Sequence, residues 1–166
     1  MKKITILMIA LLAVACSSQQ KSADENSNTN SPTSVKKEFV AVMKIKNTIR
    51  KGEPVELSFK VYNQTDSVSK FLKWQTPFEP LLAKYLDIKD QQGEEVNYKG
   101  AMAKRMMPPP ADAYISVNPN DSLTAVVDIL KGYALEKPGK YTISFNSSEL
   151  NGLKVPGTIS FIYQQD

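Results

Sequence analysis

Residues 55–62 read VELSFKVY: Val55, Leu57, Phe59 and Val61 are apolar, and Glu56, Ser58, Lys60 and Tyr62 fall between them. Successive side chains of a strand point to opposite faces, so this stretch has one apolar face and one wet face. It predicts a half-buried β-strand. The same alternation recurs at Leu123, Ala125, Val127 and Ile129, at Tyr141, Ile143 and Phe145, and at Ile159, Phe161 and Tyr163. Weaker versions cover Phe39 to Ile45 and Val68 to Trp74, and Leu86 with Ile88 begins a short one.

Turn residues punctuate these runs. Arg50-Lys51-Gly52-Glu53-Pro54, Asp90-Gln91-Gln92-Gly93, Asn118-Pro119-Asn120-Asp121 and Lys137-Pro138-Gly139-Lys140 supply the backbone angles that reversals need. Short alternating strands separated by such turns predict an all-β, antiparallel β-sandwich of about seven to nine strands over residues 38–166. A domain of about 130 residues buries enough surface to be stable without disulfides or metal. One stretch, Phe78 to Lys84 (FEPLLAK), has some helical character, and Pro80 limits it to about a turn.

The N-terminal part has a different character. Met1-Lys2-Lys3 is positive, and Ile4 to Val14 is a largely apolar run of eleven residues. A stable membrane span needs roughly 20 apolar residues, so this run has the length of a secretory signal core instead. Ala13-Val14-Ala15 follows the small-x-small cleavage pattern, and Cys16, the only cysteine of the chain, comes next. Small residues followed directly by cysteine resemble the bacterial lipoprotein signal, although Ala13 stands where leucine is usual. That resemblance implies cleavage after residue 15, acylation of Cys16, and anchoring of the chain to a membrane by its lipid. Acylation also disposes of a lone thiol that has no intrachain partner. Ser17 stands where an aspartate would favour inner-membrane retention, so the resemblance leans towards the outer membrane. Ser17 to Lys37 is polar and lacks aromatics, which predicts a disordered tether over 16–37 spanning about 25 Å root-mean-square.

Several function classes are disfavoured. The 166 residues include no histidine, which removes imidazole acid-base catalysis and histidine metal sites. With Cys16 committed to lipid, no thiolate nucleophile or ligand remains. Asp87, Asp90, Glu94 and Glu95 are candidates for paired-carboxylate or calcium chemistry, yet they sit in and beside a polar turn, where charge serves solubility. Lysine plus arginine number 21 against 17 acidic residues, and 19 against 17 once Lys2 and Lys3 are cut away, with no basic cluster. Nucleic acid is therefore not an expected partner. The expectation is a protein that is not an enzyme and needs no cofactor.

A more specific likeness spans Phe71 to Phe145. FLKWQTPFEPLL, Tyr98-Lys99-Gly100, Lys104-Arg105, a proline-rich stretch before Tyr114, VNPNDSLTAVVDI and GYALEKPGKYTISF occur in that order. Together they resemble the β-rich domain preceding the catalytic domain of deuterolysin-type zinc endopeptidases, among them the peptidyl-Lys metalloendopeptidases. The resemblance implies an immunoglobulin-like sandwich. The sequence holds no counterpart of the catalytic half, so peptidase activity does not carry over. What carries over is a module able to assist or cover a protease, with a zinc endopeptidase or another envelope protein as partner.

Two places are candidates for partner contact. Trp74, the one tryptophan, and Phe78 suit an aromatic platform for a sugar or peptide, against the alternative of a core anchor. Residues 101–112, AMAKRMMPPPAD, join adaptable Met106 and Met107 to a stiff triple proline, with Lys104 and Arg105 placed to frame them with charge. The alternative is a crossover loop whose methionines plug gaps in its own sheet. The leading functional expectation is a tethered protein-binding module associated with a protease; the second is a carbohydrate- or envelope-binding module.

Overall fold

Alternation becomes layering in the computed structural model, which describes residues 39–146 and 151–165. The chain divides between Ser34 and Val35 into two units, and all the described residues belong to the second. The lipid-attachment position, Cys16, and the tether lie outside the described residues. Among the described residues no helix is long and apolar enough to cross a membrane.

The first sheet has the order β7–β3–β1–β9, formed by Ser122–Asp128, Glu56–Asn63, Phe39–Ile45 and Leu153–Lys154. The second has the order β2–β10–β8–β5, formed by Thr48–Arg50, Thr158–Gln164, Gly139–Phe145 and Leu86–Lys89. A ribbon of β4 (Ser69–Leu72) and β6 (Tyr114–Val117) completes the set. The register follows the pattern of two. Ala41, Met43 and Ile45 of β1 stand opposite Val61, Phe59 and Leu57 of β3, which in turn face Leu123, Ala125 and Val127 of β7. Ile143 of β8 pairs with Ile88 of β5 on one side and with Ile159 of β10 on the other.

One hydrophobic cluster takes side chains from both sheets, including Leu57, Phe59 and Val61 from the first and Ile88, Ile143 and Phe161 from the second. The ring of Phe59 meets those of Phe78 and Phe145, at centroid distances of 6.4 and 5.1 Å. Burying a side chain of this size stabilises the fold by about 1.5–3 kcal/mol. The all-β sandwich expected from alternation is the fold observed.

Two details go beyond that expectation. Ten strands are present among the described residues. Two of the pairings, β1 with β9 and β10 with β2, are parallel. The second of these follows from a break at Lys46-Asn47, where the chain leaves the first sheet as β1 and joins the second as β2. The switch lets β2 cover the outer edge of β10 and reduces the unpaired backbone there. The helical turn at Phe78 to Lys84 is not found; this stretch is an irregular loop. Pro80 removes a donor, Leu82 N–H reaches back only to the Pro80 carbonyl at 2.6 Å, and the Leu82 carbonyl accepts from Ala103 N–H outside the stretch at 2.8 Å.

The turn signals hold at the residue level. Gly52, Gly93 and Asn120 have positive φ in three of the four turns, and Gly139 ends the fourth at φ 148°. Tyr141 closes that last corner by donating its hydroxyl to the Lys137 carbonyl at 2.7 Å.

Candidate functional site

Between β5 and β6 the chain runs through a long segment without regular strand, and its anchoring explains what it displays. Tyr98 fixes the start. Its hydroxyl lies 3.0 Å from the Leu81 carbonyl and 2.9 Å from that of Ala101. A Cβ at Gly100 would collide with that hydroxyl and its ring, so any side chain there would have to displace Tyr98 from these bonds. Burial pushes the Tyr98 phenol above its ordinary pKa, with a smaller push from Glu79. At the far end, Lys73 N–H donates to the Ala113 carbonyl at 2.9 Å, and Lys73 Nζ to that of Asp112 at the same distance.

The middle is held by Arg105. Its Nη2 donates to both oxygens of Glu79, at 2.6 and 2.8 Å. Its guanidinium also lies over the Trp74 ring, 4.9 Å from the centroid. The Glu79 side chain is only 5% exposed, and its Oε1 also accepts the Gln75 N–H at 2.8 Å. A carboxylate this buried is retained only when paired and hydrogen-bonded, and here it is both. The Trp74–Thr76 turn that carries it is tied by Thr76 Oγ1 donating to the Lys73 carbonyl at 2.6 Å, with Gln75 at φ 58°. Trp74, Glu79, Arg105, Pro110 and Asp112 help to line a cleft of about 340 Å³.

This geometry assigns different roles to the candidate residues. Trp74 is 7% exposed and packs with Leu72, Ala113 and Tyr114, as a core anchor does. Phe78 is half-buried against the main core, edge-on to Phe71 at 5.2 Å. Lys104 is exposed. Arg105 does not frame the methionines with charge, because its guanidinium is turned inward onto Glu79 and Trp74. Met106 and Met107 plug no gap: they are 84% and 63% exposed, and Met102 on the same loop is 72% exposed. The structure thus separates a clamp (Trp74, Glu79, Arg105) from a displayed apolar surface (Met102, Met106, Met107). Sequence reading omitted Glu79 and Met102. The one signal for Glu79 was a single acid set among Phe78, Pro80, Leu81 and Leu82, where a lone charge needs a partner.

Of the acidic candidates, Asp90 and Glu94 shape the turn after β5, Asp87 belongs to β5 itself, and Glu95 forms a β-bridge back to Lys89. Asp90 Oδ1 accepts the backbone N–H groups of Gln92 and Glu94, each at 2.9 Å, which shapes the turn. Lys84 bridges Glu95 and Asp87, and its hydrogen bonds to them, Glu95 first, raise its pKa. Among the described residues, no group of three or more potential ligands is placed to hold a metal ion. Asn63, whose context resembles a glycosylation sequon, is buried. Its side chain accepts from Thr65 N–H and Oγ1 at 3.0 and 2.7 Å, and donates to the Val117 carbonyl at 2.9 Å.

No curated protein matches the chain. A family model for an immunoglobulin-like domain matches residues 42–148, which include most of both sheets and the whole clamped loop. The match accords with the two-sheet core and with the tyrosine-closed corner at β8. The chain belongs to the immunoglobulin-like domain family.

Proposed function

We propose that this protein is a non-enzymatic binding module, tethered to a bacterial membrane through a lipidated Cys16, whose clamped methionine loop docks a partner protein. The observation that carries the reading is the contrast within residues 101–112. Arg105 is turned inward and paired, while Met102, Met106 and Met107 stand in solvent on a segment stiffened by Pro108, Pro109 and Pro110. A clamped loop loses little freedom on binding, and methionine adapts to the surface it meets. The N-terminal pattern supports the anchor, and the likeness of residues 71–145 to a protease-linked domain supports a zinc endopeptidase as partner, with this chain as its inhibitor or chaperone. Trp74, buried beneath Arg105, offers no open ring for stacking on sugars, so the carbohydrate reading gains no support from the site.

The test is a capture experiment with the chain in detergent, offered envelope and secreted proteins of its source, beside a Met106→Ser/Met107→Ser variant. Retention of a zinc endopeptidase by the native chain and its loss by the variant are expected. Equal retention by both, or glycan material alone, contradicts the reading.

A further inference from the structure

Four methionines lie among the described residues, and they fall into two environments. Met43 of β1 is 6% exposed and faces Phe59 inside the sandwich. Met102, Met106 and Met107 are 72%, 84% and 63% exposed on one short loop. We propose that these three thioethers are a modification site, converted to sulfoxides by oxidants of the peroxide class while the sandwich stays folded.

The chemistry asks only for access to sulfur. The sulfur lone pair attacks one peroxide oxygen, an S–O bond forms and the O–O bond breaks. The proton from the attacked oxygen passes to the departing hydroxide, which leaves as water. Sulfur loses the two electrons that the peroxide gains, so one peroxide is consumed per methionine. No acid or base from the protein takes part. Reduction of the sulfoxide by a thiol-dependent reductase would restore the thioether.

The fold tolerates the change because none of the clamps passes through a methionine side chain. The loop is held by the Ala103 N–H bond to Leu82, the Arg105 bonds to Glu79, and the Ala113 N–H bond to Pro110. Oxidation therefore turns an apolar surface polar and leaves its supports in place. Oxidation of Met43 would instead put a polar oxygen into the core. The site rests on exposure and holds whichever partner the loop meets.

The test treats the full chain in detergent with hydrogen peroxide and follows each methionine-bearing peptide by mass, folded and in guanidinium. In the folded chain each loop methionine is expected to gain one oxygen on the order of tenfold faster than Met43, and in guanidinium the rates converge. The thermal midpoint of the loop-oxidised chain stays within about 2 °C of the untreated one. Its retention on a phenyl matrix falls, whereas that of a Met102→Leu/Met106→Leu/Met107→Leu variant under the same treatment does not. Equal rates for Met43 and the loop in the folded chain, unfolding in step with loop oxidation, or unchanged retention would overturn the proposal.

Discussion

Arg105 reaches a carboxylate that has almost no solvent, so truncating it leaves Glu79 charged, buried and short of its main partner. Breaking a buried pair from one side costs about 3–5 kcal/mol, and the 24% exposure of the Arg105 side chain places Arg105→Ala towards the lower end. Urea unfolding measures this loss, and the Trp74 emission should move to longer wavelength as the guanidinium leaves its ring. Replacing both partners, as Glu79→Leu/Arg105→Met, should cost much less than Arg105→Ala alone, because no orphaned charge remains. A single variant that is harmless would show that the clamp does not hold the loop. Little of this pair was legible in the sequence. Residues 79 and 105 are 26 positions apart, neither belongs to a periodic run, and a charged Lys104-Arg105 step reads as a solvated face until one knows which side chain turns inward. The methionines were legible as candidates, since Met-Met beside three prolines is unusual, but their exposure was not.

At the scale of elements, β5 is locked by a tyrosine. The Tyr133 hydroxyl accepts the Leu86 N–H at 3.0 Å and donates to the Leu86 carbonyl at 3.1 Å. Tyr85 lies beside it, fully buried, its hydroxyl without a hydrogen bond among the described residues. Burial pushes both phenols far above the ordinary tyrosine value. A raised folded pKa means the folded state holds its proton more tightly than the unfolded chain. The stability contributed is therefore complete below about pH 10, the ordinary value, and is lost as pH rises beyond it. Urea midpoints should be flat approaching that pH and fall above it, with each buried phenol adding about 1.4 kcal/mol per pH unit to the slope. Tyr85→Phe, which removes a hydroxyl that bonds to nothing, should cost little at neutral pH and make the alkaline fall shallower. An unchanged alkaline slope in that variant would contradict the assignment. The strands themselves were readable where alternation ran for five or more residues, as in β1, β3, β7, β8 and β10. Missing from that reading were β2, β6 and β9, of three, four and two residues. Elements so short carry no period of their own. Their existence is decided by the neighbour they pair with, and for β2 and β9 that neighbour is far along the chain and parallel.

Across the whole molecule, a two-sheet core supports one clamped loop whose apolar side chains are turned outward. Among the described residues, the three most exposed large apolar side chains, Met106, Met102 and Met107, sit on the least regular segment, where binding surfaces are commonly found. The alternation of two that builds the core fixes where the loop starts and ends, and so where the methionines stand. The central claim is that these methionines meet a protein. The most direct measurement replaces the methionines with photoreactive photo-methionine, irradiates the chain in the cells that make it, and maps every crosslink to its residue. The account predicts links from positions 102, 106 and 107 to another protein, and from position 43 only to residues of the chain's own core. Loop positions that link only within the chain, or to no protein at all, would contradict it.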